Sequence, residues 1–172
     1  MHVFQSGWQW KNLVGAVVLA FQPGPASSAA GLETRAIPNT RLVVEVPEGF
    51  LPTPFGSKLE DAGREISVTA GEYPAAACEN LDVQRVTASL TRFGYVEPQP
   101  VLAEPPPIGL LLEATHRTGE EDRIALILER VEGEFCIVAA IETPRRKLTD
   151  GSVTRTEIIE ILRSLRVRPI SQ

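Results

Sequence analysis

The sequence predicts an α+β fold built on a central antiparallel sheet, and three observations indicate it. The first is an apolar hairpin within residues 123–141, and the second is an amphipathic helix with complete end signals near residue 160. The third is the order of the elements: strands, a helix, a run of strands and a closing helix. This order is not the strict alternation that a parallel βαβ array requires.

The predicted hairpin carries apolar side chains on both faces of both strands. Apolar residues on the two faces of the first strand are Ile124, Leu126 and Leu128, and Ala125, Ile127 and Val131. Those on the two faces of the second strand are Phe135, Ile137, Ala139 and Ile141, and Cys136, Val138 and Ala140. Glu132-Gly133 suits the tight turn between them, because glycine tolerates positive φ. A strand with one wet face should alternate apolar with polar residues, so we expect this hairpin to be covered on both sides.

Two amphipathic helices can supply the covers. The first is predicted over residues 80–93, with Asn80 as its N-cap and Gly94 just beyond its end. Its apolar stripe consists of Val83, Val86, Leu90 and Phe93.

The closing helix has the strongest signals. Thr154 and Glu157 form a capping box, and Val153 with Ile158 forms a hydrophobic staple across it. Its apolar stripe consists of Ile158, Ile161, Leu162 and Leu165.

The remaining elements follow from alternation and from proline breaks. Strands are predicted over residues 41–46, 65–70 and 108–115, and an edge strand over 95–104, where prolines favour an edge position. Residues 31–40 form a polar lead-in, and residues 47–63 form a proline-punctuated loop. Phe50 and Phe55 lie in that loop and either pin it to the core or form a partner surface.

The first thirty residues have the pattern of a secretory signal peptide. Lys11 is the only charged residue before Glu33, and an apolar run over 13–21 and small residues over 26–30 follow it. The run is too short to span a membrane, so no stable membrane anchor is expected. Cleavage is predicted near Gly31, leaving residues 31–172 as the mature domain in the periplasm or secreted; the alternative is an uncleaved leader on a cytosolic protein.

The composition argues against nucleic acid as a partner. The 172-residue chain has a net charge of −5, whereas phosphate binding needs a basic stripe. The one basic cluster, Arg145-Arg146-Lys147, follows Pro144 and is typical of a solvated loop.

No motif for catalysis, metal or cofactor binding occurs in the predicted mature chain. His116 is its only histidine and has no nucleophile motif near it. Two cysteines with one histidine match no zinc spacing, and no glycine-rich phosphate loop is present. Glu120-Glu121-Asp122 is typical of a solvated acidic loop. We therefore expect a protein that is not an enzyme, with no cofactor and no metal.

Cys78 and Cys136 leave two alternatives open. In an oxidising compartment they can form a disulfide where their positions allow it. Otherwise they are two separate buried thiols that behave as small apolar residues.

Several short features occur together in the order of a known family. They are Pro47-Glu48-Gly49-Phe50 after a strand, Phe55-Gly56, Tyr73-Pro74, Phe93-Gly94 at a helix end, a three-strand meander, and Pro144 before a final helix. This arrangement resembles the PsbP-like superfamily, which also contains a Ran-binding nuclear-transport factor and uncharacterised bacterial envelope proteins.

The resemblance implies a PsbP-like α/β/α sandwich, an antiparallel sheet of about six strands with helices on both faces. It also implies a non-catalytic binding or accessory protein of the bacterial cell envelope, whose partner is another envelope protein. The alternative is a carrier of a small molecule or lipid, with a pocket between sheet and helix.

Overall fold

Ten strands and three α-helices make up the computed structural model, which describes residues 31–79, 81–102, 109–118 and 121–168. The strands are β1 (Leu32–Ala36), β2 (Leu42–Pro47), β3 (Leu51–Pro52), β4 (Lys58–Asp61), β5 (Ile66–Pro74), β6 (Tyr95–Pro100), β7 (Leu110–Thr118), β8 (Glu121–Glu132), β9 (Phe135–Pro144) and β10 (Arg166–Val167). The helices are α1 (Val83–Arg92), α2 (Arg145–Thr149) and α3 (Arg155–Ser164), and a 3₁₀ turn spans Ala75–Cys78.

The main sheet is antiparallel and has seven strands in the described part of the chain, in the order β3-β4-β5-β9-β8-β7-β6. The α+β fold is confirmed, and the sheet has one strand more than expected. The predicted hairpin is β8-β9 at its centre. Its turn lies one residue later than predicted, because Glu132 pairs with Phe135 and leaves Gly133-Glu134 as the loop, with Gly133 at φ +61°.

One face of this sheet, which we call the closed face, is packed under a double cover. Strand residues alternate between the faces, so Ile124, Leu126 and Leu128 of β8 all point to this side. They belong to one buried cluster with Leu162 of α3 and Val44 of β2. The cover therefore consists of α3 together with a second sheet of three strands, ordered β1-β2-β10.

The small second sheet differs from the sequence prediction. The strand predicted over residues 41–46 is present as β2, one residue later at Leu42–Pro47, but it pairs with β1 and β10 rather than with the main sheet. Residues 31–40 were predicted to be a polar lead-in, and that prediction is wrong because Leu32–Ala36 forms β1. Every second β1 side chain is exposed, so backbone pairing with β2 holds this strand rather than burial.

The opposite side of the sheet, which we call the open face, has a smaller cover. Val86 and Leu90 of α1 pack on β7 and β8 in a second buried cluster. The sheet residues of this cluster are Leu112, Ala114, Ala125 and Ile127. Residues of β5 and β9 on the same side belong to neither buried cluster, apart from Ala140, which packs at the edge of the second one.

Helix α1 begins and ends differently from its prediction. Its N-cap is Asp82, whose carboxylate accepts a hydrogen bond from the Gln84 amide at 3.1 Å; the predicted cap, Asn80, lies outside the described residues. The helix ends at Arg92, so Phe93 leaves the apolar stripe and is 70% exposed. Gly94 follows with φ +85°, the left-handed conformation common after a helix C-terminus.

Helix α3 follows its sequence signals closely. The Thr154 hydroxyl accepts a hydrogen bond from the Glu157 amide at 3.1 Å, and Val153 and Ile158 are both fully buried. The Glu157 carboxylate accepts a hydrogen bond from Arg64 at 2.6 Å, which fastens the first turn of α3 to the β4-β5 connection.

The predicted loop over residues 47–63 contains two strands, β3 and β4. Leu59 of β4 is almost fully buried and packs this strand on the core. The prolines of the segment had favoured a loop instead. The cluster Arg145-Arg146-Lys147, predicted to be a solvated loop, lies in helix α2. Arg146 and Lys147 both pair with Glu65.

The predicted signal peptide, residues 1–30, lies outside the described residues. No helix in the ranges given above is long and apolar enough to cross a membrane.

Candidate functional site

A groove of about 300 Å³ runs along the open face between α1 and the middle of the main sheet. The sheet provides its floor, α1 forms one wall, and the 3₁₀ turn with the following residues closes one end. Its lining residues are Tyr73, Ala77, Leu81, Arg85, Val86, Ser89, Phe93, Glu129, Cys136 and Val138.

The floor of the groove is set by the register of β8 and β9. Glu129 lies directly opposite Val138, and Val131 lies opposite Cys136. Residues two apart on a strand share a face, so Glu129 occupies the same side as Ala125 and Ile127. It is the one charged side chain among the groove's sheet residues, since the others are Tyr73, Cys136 and Val138.

Two exposed aromatic residues stand at the rim. Phe93 at the end of α1 is 70% exposed, and Tyr73 near the end of β5 is 52% exposed. The Tyr73 ring lies back along its own strand over Gly71: a Cβ added at Gly71 would meet the Tyr73 hydroxyl at 3.2 Å and its ring at 3.3 Å. A larger residue at position 71 would push the ring away from this edge of the groove.

A disulfide fixes the 3₁₀ turn at the end of the groove. The structure joins Cys78, at the end of the 3₁₀ turn, to Cys136 on β9, with a Cα–Cα distance of 5.4 Å. Both cysteines are at least 96% buried. The turn carries Ala77 and leads to Leu81, so the bond holds these two lining residues beside the sheet.

The electrostatics of the groove depend on Glu129 and Arg85. Glu129 is half-buried, and no side chain in the described ranges donates a hydrogen bond to its carboxylate or pairs with it within salt-bridge distance. Burial raises the pKa of Glu129 above its ordinary value, while the charge of Arg85 acts in the opposite direction. Arg85 itself lies exposed on α1.

A second polar cluster occupies the open face beyond the end of α1. The Tyr95 hydroxyl donates to Glu142 Oε1 at 2.6 Å, and His116 Nδ1 lies 3.1 Å from the same oxygen. Arg123 Nε lies 3.8 Å from the other carboxylate oxygen, and the Tyr95 and His116 rings are 4.6 Å apart. Burial, and then the hydrogen bond to Glu142, raise the pKa of Tyr95.

The polar side chains of this cluster hydrogen-bond to one another, and no nucleophile in the described ranges is hydrogen-bonded to its histidine. No serine, threonine or cysteine in the described ranges hydrogen-bonds to His116. His116 is thus hydrogen-bonded on strand β7. The sequence analysis did not predict that Tyr95, Arg123 and Glu142 would lie beside it.

Acidic residues in the described ranges form no cluster of three metal-ligating side chains. In the predicted acidic loop, Glu121 pairs with Arg146 at 2.9 Å and Asp122 with Arg117 at 3.7 Å, while Glu120 lies outside those ranges.

The two loop aromatics predicted as a partner surface are not brought together. Phe50 is fully buried in the closed-face cluster, so it pins the loop to the core, the first of the two alternatives, and the partner-surface alternative is wrong for it: the loop turns inward after β2 and places this ring beneath α3 and the small sheet. Phe55, between β3 and β4, is 87% exposed and lies outside the groove.

Sequence reasoning missed Tyr73, Glu129 and the exposure of Phe93. Glu129 did leave a signal, because it interrupts a face of β8 that otherwise carries Ala125, Ile127 and Val131. A charge at such a position on a central strand indicates a place where the cover is incomplete.

No protein-family model matches the sequence, and no curated protein matches it. Among solved structures, the fold is similar to that of the Ran-binding protein Mog1p of Saccharomyces cerevisiae, with a TM-score of 0.51 and 10% identity over 81% of this chain and 96% of that one. It is also similar to the cyanobacterial PsbP (CyanoP) of Synechocystis sp. PCC 6803, with a TM-score of 0.50 and 11% identity over 86% of this chain and 98% of that one. At these identities the likeness concerns the fold alone, and it confirms the fold that the PsbP-like resemblance predicted.

Proposed function

We propose that the protein is a non-catalytic binding or accessory protein that recognises another protein of the bacterial cell envelope through the open-face groove. The observation that carries this is that two exposed aromatic residues, Tyr73 and Phe93, line a groove beside the central strands. Exposed aromatic side chains at the edge of a concave surface are typical of sites where proteins bind partners.

Mog1p supports protein recognition as the activity. It is described as Ran-binding and has a similar fold over most of its length. A fold of this kind can therefore present a surface to a protein partner, and the partner of this chain has to be found by experiment.

The arrangement of polar groups supports a role without catalysis. His116 shares Glu142 with Tyr95 and lacks the hydrogen-bonded nucleophile that acyl-transfer sites place beside their base. Cys78 and Cys136 are joined to each other and so supply no thiolate.

Two features support an envelope location. Residues 1–30 have the signal-peptide pattern, and a disulfide persists in an oxidising compartment such as the periplasm. Protein recovered from the periplasmic fraction should begin near Gly31. Full-length protein found only in the cytosolic fraction would contradict export.

The alternative is a carrier of a small molecule, which the apolar residues Leu81, Val86 and Val138 in the groove favour. The volume of about 300 Å³ lies at the lower end for ligand pockets. Native mass spectrometry of protein purified from its host distinguishes the two. A bound small molecule that stays with the protein would favour the carrier.

Site-specific photo-cross-linking in the host tests the protein-binding function. A benzophenone amino acid placed at Ser89 or Phe93 should give adducts with a partner protein. The same amino acid at Glu160, exposed on α3 on the other side of the sheet, should give none. Equal adducts at all three positions, or adducts from Glu160 alone, would contradict recognition through the groove.

A further inference from the structure

Resting on this proposed function, we propose that the groove binds a basic side chain, lysine or arginine, from an exposed segment of the partner protein. The charged end of that side chain would pair with Glu129, and its aliphatic stem would lie between Tyr73 and Phe93.

The first support is charge complementarity at the floor. Glu129 sits half-buried on a strand face that is apolar on both sides of it, and within the described ranges its carboxylate has no hydrogen-bond donor. Removing an anion from water without a partner costs free energy, and a charge-assisted hydrogen bond recovers it. An incoming ammonium or guanidinium group supplies that bond.

The second support is the pair of rings at the rim. Aromatic faces attract cations, and the methylene stems of lysine and arginine pack on apolar surface while their charged ends reach a polar partner. Tyr73 on β5 and Phe93 just after α1 both line the groove and are both exposed, so a stem that leaves the groove can pack on them. The same geometry gives a neutral polar ligand no comparable gain.

The third support is that this chain already holds one arginine between a carboxylate and an aromatic ring. Arg41 lies with its guanidinium carbon 4.0 Å from the centre of the Phe135 ring, and its Nε donates to Glu72 at 2.8 Å. An arginine is thus held between the carboxylate of Glu72, which precedes Tyr73 on β5, and the ring of Phe135 on β9. The groove presents the same two kinds of group, and Arg85, the one basic residue that lines it, makes no ion pair with Glu129 within 4 Å.

Arg85 is the charged group that opposes this proposal. It lies on α1 at the exposed side of the groove and acts on Glu129 through space, with no ion pair within 4 Å. Arg85 is exposed, whereas Glu129 is half-buried on the floor, so water screens the charge of Arg85 more than that of Glu129. Neutralising Arg85 should therefore strengthen binding of a basic side chain, and neutralising Glu129 should weaken it.

The test uses three end-blocked pentapeptides, Ala-Ala-X-Ala-Ala, with X as lysine, norleucine or glutamate, titrated into the oxidised ¹⁵N-labelled protein at low salt and neutral pH. We expect the lysine peptide to shift the amide signals of Tyr73, Glu129 and Val138, and the other two peptides to leave them unmoved. Glu129→Gln should reduce the affinity about tenfold, the loss of one charge-assisted pair. Arg85→Gln should increase it.

Equal binding of the norleucine peptide, preferential binding of the glutamate peptide, unchanged affinity in Glu129→Gln, or shifts located elsewhere would each overturn the proposal. Both variants change side chains that reach the groove without filling the core, and their unfolding curves report whether they fold. Cross-links that map to the groove while the lysine peptide fails to bind would overturn the basic-side-chain proposal and leave the protein-binding function standing. Lysine-peptide binding in the groove without groove cross-links would support the proposal and contradict the function.

Discussion

The two faces of the main sheet are built from similar strands and are covered to different extents. On the closed face, α3 and the small sheet leave Leu126, Ile137 and Leu162 at most 1% exposed. On the open face, the buried residues of α1 are 5% and 8% exposed, and Tyr73, Phe93 and Val131 are between 46% and 70% exposed.

The difference shows how one sheet can serve two purposes. A single ten-residue helix cannot cover seven strands, so Thr69, Gly71 and Val138, on the α1 side of β5 and β9, remain at least partly accessible. The closed face supplies burial, which dominates stability, while the open face keeps apolar and aromatic surface beside one charge. We therefore expect substitutions on the closed face to affect stability first and those on the open face to affect binding first.

Leu162→Ala tests the closed face and should give the largest effect. Leu162 is 1% exposed between α3 and the sheet, and emptying such a site costs about 2–5 kcal/mol. Urea unfolding measures the change. Leu102→Ala is the matched control, since Leu102 is 99% exposed and should lose less than about 0.5 kcal/mol. A small loss at Leu162 would mean that the closed face is not closed in solution.

The disulfide tests how the open face is held together. Cys78 and Cys136 are 58 residues apart, and closing a loop of that length stabilises a protein by about 4 kcal/mol in the chain-entropy model. The double variant Cys78→Ala/Cys136→Ala should lose much of this in urea unfolding. Reducing agent should then destabilise the unsubstituted protein and leave the double variant unchanged. Two titratable thiols in the unfolded, unreduced protein would contradict the bond.

Leu90→Ala makes the same change on the helix of the open face. Leu90 is 8% exposed and packs in the smaller cluster, so its loss should cost about 2 kcal/mol, the low end for leucine truncation. Phe93→Ala, three residues along, should leave the unfolding free energy within about 0.5 kcal/mol. A loss at Leu90 as large as that at Leu162 would remove the distinction between the faces.

Glu129→Gln should have the smallest effect on stability and one that depends on pH. Burial raises the pKa of Glu129 above its ordinary 4.5, so the folded state favours the protonated form. The free energy of unfolding then falls as pH rises through the folded pKa. Glutamine removes this loss, so the variant should be more stable at neutral pH by less than about 1 kcal/mol, since partial exposure screens the charge.

Well below pH 4.5 the gain should vanish, because glutamate and glutamine are then both uncharged in the folded and the unfolded state. Unfolding curves for the two proteins across this range measure it. A constant difference at every pH would show that the gain has a cause other than the charge.

Local signals in the sequence determined the elements whose evidence lies within a few residues. The capping box at Thr154, the apolar alternation of β8 and β9, and the prolines of β6 each act on their own segment, so the closing helix, the central hairpin and the edge strand follow from them. Strand β1 was missed for the same reason. It is held by backbone hydrogen bonds to β2, and these leave no pattern in the side chains of residues 32–36.

Only the tertiary structure decided which surfaces remain uncovered. Phe50 and Phe55 lie in the same short segment, yet one is buried beneath the double cover and the other is exposed, because burial depends on what a distant part of the chain places above each ring. Glu129 and Tyr73 are 56 positions apart and line the same groove because β5 and β8 both pair with β9. The sequence specified the strands that carry them, and the groove exists because α1 covers only part of the face that those strands form.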